Sequence, residues 1–232
     1  MHIFYGDSIT EGVPGVSFVK YINKNIKTKN KGFGGDTIIG LKSRITYDEI
    51  NKNDSYVIQI GTNDLLLPFL KNHSTSWNNQ VRKVIKSGRI PCEGEDQFKQ
   101  EYEDLILELE DKKVSFLIIN IPCIGEDINS SLNKEVDKYN NIIKELASKW
   151  EFVYVDYNNW QKEVLSRFHS DNKYFIPKQP HKMMLDSFLT STFPISNYLS
   201  SKRKLVLTTD GCHLNDKGAK GLAVLVEEKL KV

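Results

Sequence analysis

Val114-Ser115-Phe116-Leu117-Ile118-Ile119-Asn120-Ile121 is a mostly apolar run of strand length. Beyond it Leu132, Val136, Tyr139, Ile143, Leu146 and Trp150 recur at alternating spacings of four and three, and Phe152-Val153-Tyr154-Val155 then returns to an apolar run. The four/three spacing predicts a helix that buries one stripe, and the apolar runs on either side predict strands covered on both faces. A strand, a long helix and a second strand make a crossover unit, and such units force a parallel sheet with right-handed connections.

The same alternation extends outward in both directions. Toward the N-terminus, Phe98, Tyr102, Leu105 and Leu109 form another helical stripe, and Val57-Ile58-Gln59-Ile60 and Ile3-Phe4-Tyr5 read as strands. A weaker strand is expected around residues 29–33, and Phe18, Ile22 and Ile26 predict a helix between the first two strands. Toward the C-terminus, Leu222, Val226 and Leu230 predict a last amphipathic helix. The expected fold class is α/β, a three-layer α/β/α sandwich around a flavodoxin-like, mainly parallel five-stranded sheet. At 232 residues the chain suits a single domain, 1–232. Two stretches break the alternation, about 65–95 and 158–204. The second carries Trp160, Phe168, Tyr174, Phe175, Phe188, Phe193 and Tyr198, and such aromatics predict folded excursions over the ligand-binding edge rather than slack loops.

In open sheets of this type ligands bind beyond the carboxyl ends of the strands. Gly6-Asp7-Ser8 and Gly61-Thr62-Asn63-Asp64 both begin where an apolar strand stops, so both fall on that edge. Asp210-Gly211-Cys212-His213 precedes the last helix. A serine hydroxyl is a poor nucleophile at neutral pH and needs a base, in turn oriented by a carboxylate. Ser8, His213 and Asp210 supply the three types. Asp210 and His213 can pair through a local turn, whereas Ser8 must reach them through the fold. His2, His73, His169 and His181 compete as the base, but His213 is the one with a carboxylate three residues earlier in a loop that leads into a helix. Ser8 could alternatively be a helix N-cap, and Asn215 is expected to cap the last helix whether or not the loop is catalytic. The G-x-S-x-G elbow of α/β-hydrolases is absent.

These blocks resemble those of the SGNH, or GDSL, hydrolases. Gly6-Asp7-Ser8-Ile9-Thr10 is similar to the family's first block, Asn30-Lys31-Gly32-Phe33-Gly34-Gly35-Asp36-Thr37 to the second, Gly61-Thr62-Asn63-Asp64 to the third and Asp210-Gly211-Cys212-His213-Leu214-Asn215 to the last, in family order along the whole chain. The resemblance implies Ser8 as nucleophile, His213 as general base and Asp210 as its partner. It implies an oxyanion hole built from Gly35, Asn63 and the Ser8 backbone N–H. Gly34 is the competing register for that glycine, and Gly35 is preferred because it precedes Asp36 as the family's glycine precedes an acidic residue. Asp7, Asp36 and Asp64 are expected to bond backbone amides around these loops.

The expected activity is that of a serine esterase forming an acyl-enzyme, with short acyl groups, acetyl on a sugar in particular, slightly favoured over lysophospholipid or thioester substrates. An O-acyltransferase using the same site is the alternative enzyme, and a binding module on a flavodoxin-like sheet is the non-enzyme alternative. No phosphate-binding glycine motif supports the latter. The substrate is expected to be a small-molecule or carbohydrate ester, with chain length, alcohol and oligomeric state left open. Lys+Arg 32 against Asp+Glu 30, with no basic run interleaved with aromatics, argues against nucleic acid as a partner. Cys92, Cys123 and Cys212 form neither a disulfide framework nor a metal pattern, so no metal and no cofactor are expected. The first residues do not read as a signal peptide and no apolar stretch is long enough for a membrane helix, so the expected location is cytoplasmic.

Overall fold

The computed structural model describes residues 1–168, 174–177 and 179–230. Five strands, β1 (His2–Gly6), β2 (Thr28–Gly32), β3 (Ser55–Gln59), β4 (Ser115–Ile119) and β5 (Val153–Val155), form one sheet in the order β2-β1-β3-β4-β5. Every pairing is parallel. This is the flavodoxin-like order, in which the chain reverses direction across the sheet between β1 and β3.

The helices are α1 (Ser8–Glu11), α2 (Ile38–Tyr47), α3 (Thr62–His73), α4 (Thr75–Lys86), α5 (Glu95–Asp111), α6 (Ser131–Trp150), α7 (Tyr157–Ser166), α8 (Pro180–Thr192), α9 (Ser196–Lys202) and α10 (Asp216–Leu230). Side chains alternate across each strand, and the two faces of the sheet found two cores. Ile3, Tyr5, Tyr56, Ile58, Phe116 and Ile118 pack with the stripes of α2, α5 and α6. Phe4, Val57, Leu117, Ile119 and Val155 pack on the other face with Tyr157 of α7 and with Leu222 and Val226 of α10. Leu105 and Leu222 are fully buried, and truncating such a leucine to alanine costs about 2–5 kcal/mol. The result is the three-layer sandwich expected. None of the helices described is long and apolar enough to cross a membrane.

One expected helix is replaced by something shorter. Phe18 and Ile22 are buried in the second core, with Ile26 packed against it, but only Phe18–Tyr21 is helical, as one turn of 3₁₀ helix. Ile22 is already extended, the Asn23 side chain accepts from Asn25 N at 3.0 Å, and Asn23 N donates to Glu227. Asparagine offers the backbone a local alternative to the helical ladder, so the three apolar residues reach the core from a turn.

The stretch 65–95 contains most of α3 and all of α4, which pack on each other, while 158–204 contains most of α7, all of α8 and α9 and some residues outside those described, His169 among them. The two stretches touch. Trp77 Nε1 donates to Pro177 O at 2.8 Å, and α4 lies against α8.

Candidate active site

Register brings three loops to one height. Gly6 is paired with Gly32 of β2 and with Gln59 of β3, so the segments that follow, containing Ser8, Gly35 and Asn63, leave the carboxyl edge of the sheet side by side. Phe33 N donates to Gly6 O at 2.9 Å, which joins the first two. The turn after β1 leaves no room for a side chain at position 6: a Cβ there would come within 2.2 Å of Thr10 Oγ1 and 2.4 Å of Gln59 O. Asp7, not Ser8, caps α1, its carboxylate accepting from Ile9 N at 2.9 Å. The Ser8 hydroxyl at the first helical position is thereby free of capping duty.

Ser8 Oγ lies 3.0 Å from His213 Nε2, and His213 Nδ1 lies 2.7 Å from Asp210 Oδ2. The other Asp210 oxygen accepts from His213 N at 2.8 Å and Cys212 N at 3.0 Å, so one carboxylate fixes both the loop and the ring. Thr209 N donates to His213 O at 2.7 Å, closing the turn, and Asn215 Oδ1 accepts from Gly218 N at 3.0 Å to cap α10. Asp210 is wholly buried and His213 and Ser8 nearly so. Burial by itself pushes the His213 pKa down, but the charge and hydrogen bond of Asp210, with smaller contributions from Asp7 and Asp186, outweigh it and leave the imidazole above its ordinary value. Burial pushes Asp210 up, yet the imidazole and the backbone donors leave it below the ordinary carboxylate range.

Gly35 has φ +77°, in the left-handed region that glycine adopts without strain, and its N–H has no acceptor among the described residues. Asn63 Nδ2 donates to Asp36 O at 2.9 Å, which ties the third block to the carbonyl of the residue after Gly35 and leaves the second amide hydrogen of Asn63 available. The three aspartates beside these residues do bond backbone amides. Asp36 accepts from Thr37 N at 3.1 Å, and Asp64 accepts from Ile38 N and Cys92 N, both at 3.1 Å. Burial raises the Asp7 pKa to about 6 and the Asp64 pKa to about 7.

Several residues around the site carry no motif. Arg44 of α2 binds Asp36 through Nε at 2.9 Å and Nη2 at 2.6 Å and also donates to Lys31 O at 2.9 Å and Gly6 O at 3.2 Å, holding the ends of two strands to the Gly35 loop. Glu126, in the loop after β4, accepts from Val206 N, Leu207 N and Thr208 N at 2.7–2.8 Å and from Thr208 Oγ1 at 2.6 Å. Gly125 N donates to Gly211 O at 2.6 Å. From α8, the Thr190 hydroxyl accepts from Gly15 N at 3.0 Å. No group of three or more His, Cys, Asp or Glu side chains suited to a metal occurs among the described residues.

Residues 4–220 match the GDSL-like Lipase/Acylhydrolase family. An acetylxylan esterase from Geobacillus stearothermophilus is 23% identical over 189 residues, 72% of this chain and 80% of its own. The crystal structure of the acetylxylan esterase Axe2 from the same organism superposes with a TM-score of 0.65 at 21% identity, covering 100% of this chain and 94% of that one. The acetyl xylan esterase AlAXEase superposes with a TM-score of 0.63 at 22% identity, covering 99% and 100%. At these identities the superpositions speak to the fold.

Proposed function

The chain belongs to the GDSL-like lipase/acylhydrolase family and is a hydrolase acting on ester bonds, and we propose that Ser8 is its nucleophile, His213 its general base and Asp210 the carboxylate that orients the base. One observation carries this reading: the unbroken line from Ser8 Oγ through the His213 ring to Asp210, at 3.0 and 2.7 Å. With Nδ1–H donating to Asp210, the Nε2 lone pair faces the serine hydroxyl, as a base must.

In the acylation step Ser8 Oγ attacks the ester carbonyl carbon while His213 takes the serine proton. The carbonyl oxygen becomes an oxyanion, stabilised by N–H groups of Ser8 and Gly35 and the side-chain amide of Asn63. These are neutral donors held in place before charge develops, which is the usual source of such stabilisation. The imidazolium then protonates the departing alkoxide, leaving an acyl-enzyme. Water repeats the sequence, giving up a proton to His213, and the acid leaves as Ser8 recovers its own. Asp210 keeps its charge throughout and balances the imidazolium.

The substrate we favour is a short-chain ester, an acetyl group on a carbohydrate hydroxyl. Support comes from the relatives named as acetylxylan esterases, together with the two excursions, which belong to the same single domain in this reading, meet each other at Trp77–Pro177 and reach the site through Ile176 N on Asp210 O at 2.8 Å and Thr190 on Gly15, beside His213. The test is acetate release from partially acetylated xylo-oligosaccharides in water, with no added acceptor. Release in proportion to Ser8-containing enzyme, absent in Ser8→Ala, is expected. Acetyl transfer that requires an added sugar would make the protein a transferase, and cleavage of long-chain esters alone would move the substrate class to lipids.

A further inference from the structure

Arg89 stands over the candidate oxyanion loop, and among the described residues it has no acidic partner in hydrogen-bond contact. A Cβ on Gly35 would meet Arg89 Cδ at 3.2 Å and Nε at 3.6 Å, so the arginine stem lies directly against that glycine. The guanidinium sits 4.3 Å from the Phe33 ring centroid, two residues before Gly35. Among the described residues the side chain makes one hydrogen bond, from Nη1 to Ser87 Oγ at 2.8 Å, and its Nε–H is buried with no acceptor. The carboxylate its charge reaches, Asp36, is already taken by two nitrogens of Arg44.

That combination is costly unless something completes it. A buried donor left unpaired gives up its hydration for nothing, and a planar guanidinium stacked on an aromatic ring is pre-organised to take a carboxylate in its fork. The contacts with Phe33 and Ser87 engage the ring face and Nη1 and leave the Nε–Nη2 edge of the guanidinium unused among the described residues. Glu11, whose Oε2 lies 2.9 Å from where a Gly34 Cβ would be, places a negative charge near the neighbouring glycine. An anionic substituent is therefore accepted on the Arg89 flank of the loop and repelled from the Glu11 flank.

We propose that Arg89 is a specificity-determining residue that binds a carboxylate on the substrate close to the scissile ester, which makes the preferred substrate an acetyl ester of an acidic sugar. This rests on the esterase reading of Ser8, His213 and Asp210. Because Arg89 borders the loop that holds Gly35, the carboxylate it grips must lie within a few bonds of the acetylated hydroxyl.

The experiment compares acetate release from a mono-acetylated methyl glucuronoside and from the matching methyl glucoside, in wild type, Arg89→Ala and Arg89→Lys. Wild type is expected to prefer the acidic ester in kcat/KM. Arg89→Ala is expected to cut the acidic-to-neutral ratio by about 10- to 100-fold, the range of one charge-assisted contact, chiefly through KM, and Arg89→Lys to fall between. A wild-type ratio of one or less, or a ratio unchanged in Arg89→Ala, would overturn the proposal, the second result meaning that Arg89 only props the Gly35 loop. Turnover of p-nitrophenyl acetate by wild type and Ser8→Ala, run alongside, separates failure here from failure of the esterase reading. The latter would appear as Ser8-independent cleavage.

Discussion

Glu126 Oε1 accepts from both the backbone N–H and the hydroxyl of Thr208, at 2.8 and 2.6 Å, and that same hydroxyl accepts from Gly211 N at 3.1 Å. The carboxylate is thus two hydrogen bonds removed from the turn that carries Asp210 and His213, although it touches neither. Glu126→Ala should leave the donors at residues 206–208 without their acceptor and loosen the turn. With charge-assisted bonds worth about 1.5–3 kcal/mol each, kcat is expected to fall at least about tenfold with KM little changed, together with a lower melting temperature. Glu126→Gln, which keeps one acceptor oxygen, should recover part of both. Kinetics and calorimetry on the two variants check this, and a wild-type kcat in Glu126→Ala would remove Glu126 from the positioning role.

The pH dependence follows from the charge around His213. The proposed mechanism needs a neutral imidazole, and Asp210 raises the His213 pKa above the ordinary histidine value of about 6.5. The acid limb of kcat/KM should therefore have its midpoint above about 6.5, with activity falling as pH drops through it. The stability contribution has the opposite sense. A raised histidine pKa stabilises the fold fully below the unfolded-state value near 6.5, and that contribution fades as pH rises through the folded-state value. Asp210→Asn should move the acid limb downward and depress kcat at every pH. A limb that stays in place in Asp210→Asn would assign it to another group.

Much of this candidate site is legible in the order of the amino acids, and the reasons are local. The β4–α6–β5 unit announces itself through period alone, and Gly6-Asp7-Ser8 and Gly61-Thr62-Asn63-Asp64 follow apolar strands closely enough that their edge of the sheet is determined. Asp210 and His213 are three residues apart, so their pairing needs only a turn. Helix α2 carries a weak signal because its buried residues Ile38, Leu41 and Ile45 are few and Gly40 interrupts them. Phe18, Ile22 and Ile26 show the reverse error, a helical spacing with buried side chains but no helix, because Asn23 turns the backbone. Glu126, Arg44 and Arg89 are hidden for a different reason. Their partners lie 82, 8 and 54 positions away, at Thr208, Asp36 and Gly35, and a lone charged residue carries no mark of a distant partner. For Arg44 the eight-residue separation places both ends near the same helix, yet nothing in the spacing distinguishes it from a solvated arginine.

Asn63→Ala separates a transition-state donor from a turn residue. Removing one oxyanion donor typically lowers turnover about 10²- to 10³-fold, or roughly 3–4 kcal/mol, mostly in kcat. The lost bond to Asp36 O is expected to cost about 1 kcal/mol of stability as well. Asn63→Asp should be no more active, since a carboxylate would face the developing negative charge. Measurement of kcat, KM and melting temperature together distinguishes the roles. A change confined to melting temperature would take Asn63 out of the oxyanion hole.

The most direct test of Ser8 as nucleophile is intact-mass spectrometry after exposure to a fluorophosphonate, which traps the serine of such a pair by displacing fluoride. Wild type should gain one phosphonyl group, mapped by peptide digestion to Ser8. Ser8→Ala should gain none, and His213→Ala should react orders of magnitude more slowly because the base 3.0 Å from Oγ is gone. Stoichiometric labelling of folded Ser8→Ala, or an active wild-type esterase that takes up no label at Ser8, would contradict the assignment.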